Sequence, residues 1–195
     1  MSAKLFNKLF IFVPVLFALA CSTLTPKPTP LAADVEKEEQ AVYSFFVYDK
    51  GGPALILQDT FTSINETDPK QSIDFIKSGL KGISKSTIDS YLARNAKPSQ
   101  LSPDMNLGVD YVLLSADELA KISSQPNWGE LLAKKYPGSN GYTIFSRVGF
   151  NNSLDQAVIY VGKVAGPMMG SGFYYLMEKK NGEWLLKEQA SVWIS

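Results

Sequence analysis

The sequence predicts an α+β domain in which N-terminal helices pack on a C-terminal antiparallel meander of strands. Apolar residues in the first half recur at helical spacing, whereas the last third divides into four strand-like segments. Asn181-Gly182 separates the last two segments, and Asn-Gly suits the positive φ angles of a type I′ hairpin turn. Helices followed by a run of strands is the element order of an α+β fold.

Five helices are expected from capping signals and apolar spacing. Asp34 is a suitable N-cap for the first helix, and its early turns are acidic. Ser115 followed by Glu118 is a capping-box pattern, which predicts a helix starting at Ala116. The predicted helices cover residues 34–48, a segment beginning at Asp68-Pro69, and residues 87–96, 116–123 and 128–136.

Six strands are expected from runs of β-branched and aromatic residues bounded by turn residues. They cover residues 54–62, 111–114, 142–150, 156–164, 172–180 and 183–194. If the turn at Asn181-Gly182 forms, Lys180 faces Glu183 across it as an opposite-charge pair.

Residues 1–20 have the composition of a secretory signal rather than of a folded element. Lys4 and Lys8 precede an uncharged, mostly apolar run over residues 9–19, which ends in Ala18-Leu19-Ala20. A membrane-spanning helix needs about 20 apolar residues, so this run is too short for one.

The one cysteine of the chain, Cys21, follows this segment directly, and the arrangement resembles a bacterial lipoprotein signal. The resemblance implies a thioether-linked diacylglycerol on Cys21 with an acylated amine, palmitate for example. Several acyl chains together hold a protein on a membrane. The expected location is therefore the cell envelope, at an outer membrane or cell surface. Ordinary cleavage after Ala20, which gives a secreted or periplasmic soluble protein, is the alternative.

The predicted domain organisation follows from this signal. Residues 21–33 are expected to be the lipid-anchor cysteine and a tether, in which Pro26, Pro28 and Pro30 favour extended conformations. Residues 34–195 are expected to form a single α+β domain.

Composition excludes several classes of function. Without histidine there is no Ser-His-Asp triad and no His-ligated zinc, and one cysteine cannot form a cysteine zinc site. We expect no metal and no cofactor. Without residues 1–20 the chain has 17 basic and 19 acidic residues, so no nucleic-acid partner is expected. The chain has two arginines, Arg94 and Arg147, so clamping of a phosphate or carboxylate by paired arginines is not expected.

The last 50 residues contain a recognisable pattern. It comprises Ser-Arg-Val-Gly-Phe-Asn from Ser146, Ala-Val-Ile-Tyr-Val from Ala157, Gly170-Ser-Gly172, and the run from Leu176 to Trp184. The pattern resembles a group of uncharacterised bacterial proteins, many of them secreted or lipid-anchored. The resemblance implies no catalytic residues. Cysteines in that group often stand where this chain has Ala165 and Met169, so no cysteine-based role can be transferred. The outline also resembles cystatin or nuclear-transport-factor-2-like folds.

Three features are candidate sites. The glycine run at residues 166–172 lacks the Gly-Lys-Ser/Thr ending of a phosphate loop. We expect a connection between strands with exposed or half-buried methionines, or else a partner-binding loop. Arg147 is expected either to face outward from a strand or to form an ion pair with an acid such as Asp110. Tyr160, Tyr174 and Trp184 either pack the sheet or line a ligand groove.

These observations predict a bacterial lipoprotein whose domain acts by binding or as a structural element. Its expected partners are the membrane through Cys21 and an envelope protein, peptide or glycan. The alternative is a small-molecule hydrolase or isomerase with a cavity lined by Tyr, Asp and Arg147. A buried carboxylate beside a deep apolar cavity would favour the enzyme, whereas an exposed strand edge would favour binding.

Overall fold

One mixed sheet organises the fold. The computed structural model describes residues 30–48, 51–62, 69–166 and 168–195, so the predicted signal, Cys21 and most of the tether lie outside the described residues. Within those ranges there are five helices: α1 (Ala32–Phe46), α2 (Pro69–Gly79), α3 (Lys85–Arg94), α4 (Ala116–Ser123) and α5 (Trp128–Lys135). The strands are β1 (Ala54–Leu57), β2 (Tyr111–Leu114), β3 (Tyr142–Phe145), β4 (Gly149–Phe150), β5 (Gln156–Gly166), β6 (Met169–Lys180) and β7 (Glu183–Ile194).

The strand order is β2-β1-β3-β5-β6-β7, with β4 also paired to β5. The C-terminal part is antiparallel throughout, and β5, β6 and β7 form the predicted meander. The sheet therefore confirms the α+β class. However, β1 pairs in parallel with both β2 and β3. This parallel part of the sheet differs from the antiparallel meander that was expected. Helices α2 and α3, and then α4 and α5, lie in the crossovers that parallel pairing requires.

Alternating residues of β5 point into two different apolar clusters. Ala157, Ile159 and Val161 face a cluster that contains Val42 and Phe46 of α1. Val158 and Tyr160 face a second cluster, which includes Ile76 and Leu80 of the α2 segment and Tyr91 of α3. The sheet is thus covered by α1 on one face and by α2 and α3 on the other. A third cluster, between β1, β2 and α5, contains Leu55, Leu114, Trp128 and Leu132.

Local signals located several elements correctly. Asn181 and Gly182 have φ angles of 53° and 88°, and Lys180 pairs with Glu183. Helix α4 has its predicted bounds, and the Ser115 side chain accepts a hydrogen bond from Glu118 N. Other boundaries differ: α1 begins at Ala32, so Asp34 lies in its first turn rather than at its N-cap. Helix α3 begins at Lys85 because the Ser84 side chain caps it.

The predicted strand over residues 142–150 is divided into β3 and β4 by a side chain. Ser146 Oγ accepts the hydrogen bond of Tyr160 N at 2.9 Å, where a neighbouring strand would normally offer a carbonyl. The Ser146 carbonyl is thereby left to accept from the Tyr43 hydroxyl at 3.0 Å. The predicted strand over residues 54–62 ends at Leu57, after which Thr60 N donates to Ser99 O at 2.7 Å.

Close approach of α3 to the sheet depends on Gly149. A Cβ atom at this position would lie 2.4 Å from Tyr91 Cβ and 2.5 Å from Tyr91 Cα. These atoms belong to the backbone of α3 and the base of a buried side chain, so the clash could be relieved only by moving the helix.

Replacing Gly149 with alanine is therefore expected to destabilise the protein by about 3 kcal/mol through overpacking. The measurement is urea unfolding followed by circular dichroism. Gly166→Ala is the matched control, since its Cβ would make an ordinary 3.7 Å contact with Met169 Cβ. Equal stabilities of the two variants would contradict the steric argument.

Candidate functional site

The most highly connected polar group in the described residues is the carboxylate of Glu39, on α1. Its side chain is buried, and the residue is 4% exposed. Glu39 Oε1 accepts from Arg147 Nε at 2.9 Å and from Val148 N at 2.9 Å, while Oε2 accepts from Arg147 Nη2 at 2.6 Å. This two-point contact between guanidinium and carboxylate is the strongest ion-pair geometry available to these side chains.

Tyr43 lies one helical turn after Glu39 on the same side of α1. Its hydroxyl has two acceptors, Glu39 Oε1 at 3.1 Å and Ser146 O at 3.0 Å. Burial and the neighbouring Glu39 charge raise the pKa of Tyr43 well above its ordinary value. The phenol therefore acts as a hydrogen-bond donor and stays protonated at physiological pH.

Arg94, the last residue of α3, brings a second guanidinium to the same carboxylate. Its Nη2 lies 2.9 Å from Glu39 Oε2, yet Nε and Nη2 have no hydrogen-bond partner in the described residues. The contact is thus an electrostatic one rather than a directed hydrogen bond. The next residue, Asn95, joins α3 to the strand break, because its Nδ2 donates to Arg147 O and its Oδ1 accepts from Arg147 N, both at 2.9 Å.

Of the two alternatives expected for Arg147, the structure shows the ion pair. Its partner is Glu39, whereas Asp110, the acid named as an example, is exposed. The expectation that the two arginines would not clamp a carboxylate together is wrong, because both meet on Glu39. Burial lowers the pKa of Arg147, but the charge and hydrogen bonds of Glu39 outweigh burial, so that its pKa is raised overall.

Because of this arrangement, the Glu39 carboxylate is poorly placed to act as a general acid or base. Each oxygen is engaged by internal donors or charges from Tyr43, Arg94, Arg147 and Val148. A general acid or base must reach the proton of a substrate. The cluster instead connects α1, α3 and the β3–β4 segment.

The neighbouring residue, Glu38, fixes α1 to the β6–β7 hairpin. Its Oε1 accepts from Lys179 Nζ at 2.5 Å, and its Oε2 accepts from Trp184 Nε1 at 2.8 Å. Trp184 is 6% exposed and belongs to the cluster under α1. It therefore packs against the sheet, and it also borders the solvent-open groove on the outer side of α1.

Tyr160 and Tyr174 lie on the other face of the sheet, under α2 and α3. They are 1% and 3% exposed, with ring centroids 5.8 Å apart. The Tyr160 hydroxyl accepts from Trp193 Nε1 at 2.7 Å, and Phe61 stacks on its ring at 4.3 Å. The four predicted binding residues are consequently not brought together: Arg147 and Trp184 contact α1, whereas the two tyrosines face away from it.

Gly172, in the glycine run over residues 166–172, leaves space for the ring of Trp193. A Cβ at Gly172 would lie 2.2 Å from Trp193 Nε1 and 2.4 Å from the Tyr160 hydroxyl. Strand β6 already begins at Met169, so most of the run is strand. Met168 and Met169 are 83% and 60% exposed, which confirms the expected connection with exposed methionines.

Glu39 lines neither of two cavities near α1. One of about 70 Å³ lies between the end of α1 and the beginnings of β1 and β3, where Lys163 Nζ donates to Phe46 O at 3.2 Å. Drug-sized ligands occupy roughly 300–1,000 Å³, so this cavity has the size of a few water molecules. A solvent-open groove of about 610 Å³ crosses the outer side of α1 and reaches Glu183 and Trp184.

Across the described ranges, no three His, Cys, Asp or Glu side chains are grouped so that they could hold a metal ion. No helix there is long and apolar enough to cross a membrane. The chain matches no protein-family model, no curated protein and no solved structure. Its function must therefore be argued from its own residues.

Replacing Glu39 with glutamine should destabilise the fold by about 3–5 kcal/mol, because two guanidinium groups would lose their counter-charge. Urea unfolding at neutral pH measures this loss. Glu36→Gln, at an exposed position on the same helix, should change stability by less than about 0.5 kcal/mol. A similar loss in both variants would show that the buried carboxylate has no special role.

Proposed function

We propose that this chain is a bacterial lipoprotein whose α+β domain is held outside the cytoplasmic membrane through Cys21 and binds an envelope partner. The anchor is supported by the signal-like residues 1–20 and by the position of the one cysteine directly after Ala20. The Pro-containing residues 22–31 then connect the anchor to the first turn of α1.

Binding rather than catalysis is supported by the internal hydrogen bonds of the buried Glu39 carboxylate. Glu39 has its oxygens occupied by internal donors, and it lines neither the 70 Å³ cavity nor the groove on the outer side of α1. A hydrolase or isomerase would need Arg147 and the tyrosines in one cavity. Arg147 is paired with Glu39 instead, and Tyr160 and Tyr174 lie buried against the opposite face.

The observation that carries the binding proposal is the outer edge of β7. This strand is 12 residues long, and no described strand pairs with its outer side. An unpaired edge offers backbone donors and acceptors to an extended segment of another chain. Apolar side chains are exposed along it: Leu185, Leu186, Val192 and Ile194.

Two bulges limit what this edge can accept. Lys187 and Val192 are the extra residues where the pairing of β6 with β7 shifts register. Bulges and lysines protect edge strands against indiscriminate pairing. The regular stretches of the edge, residues 183–186 and 188–191, are short, so the partner we propose is a short extended peptide segment of an envelope protein.

The anchor is tested by replacing Cys21 with serine. The wild-type chain should incorporate labelled palmitate and partition into detergent, and the variant should do neither. Globomycin should cause the wild-type precursor to accumulate. Ser22→Ala is the control and should behave like the wild type. Membrane attachment of Cys21→Ser would refute the anchor without bearing on the edge.

The edge is tested by placing a photo-crosslinking amino acid at Leu185 or Val192 in intact cells. Both positions should give an adduct of one discrete mass, whose partner is then sequenced. The control position is Lys134 on α5, which is exposed and distant from β7 in the sheet order, and it should give none. Absence of an adduct at β7, or adducts of the same mass at all three positions, would exclude the edge as the binding surface.

A further inference from the structure

The four methionines in the described residues divide into two classes. Met168 and Met169 are 83% and 60% exposed, whereas Met105 and Met177 are 8% and 0% exposed. Both exposed residues are adjacent in the chain and stand at the turn between β5 and β6. Such exposure matters because a methionine thioether is open to two-electron oxidation where it meets solvent.

The residues that neighbour the pair in the sheet have no charged side chains. Met169 pairs with Gly166 across the turn, and the following residue, Gly170, exchanges backbone hydrogen bonds with Ser195. Ile194, which pairs with Ser171, is 72% exposed. The methionine turn, defined as Met168 and Met169, therefore forms one apolar end of the sheet together with Ile194.

We propose that the methionine turn is an oxidation site of this protein, with peroxides as the reacting class. In each reaction the thioether sulfur attacks one oxygen of hydrogen peroxide and the O–O bond breaks. The sulfur loses two electrons and becomes a sulfoxide. The second peroxide oxygen takes up the two electrons of the O–O bond and leaves as water after accepting the proton of the transferred oxygen. No group of the protein is needed as a co-reactant, and the inference does not depend on the proposed anchor or on the binding edge.

Oxidation at this site changes the surface without disturbing the core. The side chains of Met168 and Met169 belong to none of the buried clusters, so a polar sulfoxide can be accommodated in solvent. Met177 lies in the cluster under α1, where a sulfoxide would place a polar group among apolar side chains. The turn thus converts from an apolar to a polar surface while the fold is retained.

The test is residue-resolved oxidation of the full chain with hydrogen peroxide, read by mass spectrometry of fragmented peptides. In the folded protein Met168 and Met169 should oxidise ~10-fold faster than Met105 and Met177, because their side chains are exposed to the peroxide. In concentrated urea the four rates should converge. Similar rates in the folded protein would overturn the proposal, and so would a difference that persists unchanged in urea.

A double variant, Met168→Leu with Met169→Leu, isolates the consequence at the surface. Peroxide should shorten the retention of the wild-type protein on a hydrophobic-interaction column and leave its Tm unchanged. The double variant should show no shift in retention, whereas the control Met105→Leu should shift like the wild type. An unchanged wild-type retention, or a fall in Tm at the same level of oxidation, would contradict the proposal that oxidation makes the surface polar while the fold is retained.

Discussion

The fold depends on one buried carboxylate. Glu39 joins α1 to Arg147 and to Val148 N, and it lies within ion-pair distance of Arg94 at the end of α3. A carboxylate removed from water loses several kcal/mol of hydration, which its partners must restore. The observed placement of α1 over the sheet brings two guanidinium groups and a backbone donor to this carboxylate. The carboxylate therefore selects the arrangement of three elements that are distant in the sequence.

The run from Ser146 to Asn151 shows why a sequence pattern need not indicate a reaction. Ser146 Oγ replaces a strand carbonyl, Arg147 holds Glu39, and Gly149 leaves room for Tyr91. Asn151 Oδ1 accepts from the backbone of the turn that leads to β5. Each polar or small residue of the run thus has an internal contact. These residues of the run are accounted for by folding requirements.

The sequence was sufficient where a signal is local. Strand β2, helix α4 and strand β7 have their predicted bounds because cap and turn residues stand beside them. The parallel pairing of β1 was not predicted, since it depends on crossovers and not on neighbouring residues. Nor was the Glu39–Arg147 pair, whose members are 108 positions apart. With 19 carboxylates in the chain, no spacing rule singles out Glu39.

The direction of α1 relates the proposed anchor at Cys21 to the two ends of the sheet. Glu38, in its first half, contacts Lys179 and Trp184 beside the β6–β7 turn, while Phe46 O, at its end, accepts from Lys163 near the β5–β6 turn. Leu31, at the start of α1, consequently lies at the β6–β7 end of the sheet. Nine residues lie between Cys21 and Leu31, and the ten Cα–Cα steps that join them reach at most about 36 Å. Met168 and Met169 stand at the opposite end of the sheet, at the β5–β6 turn.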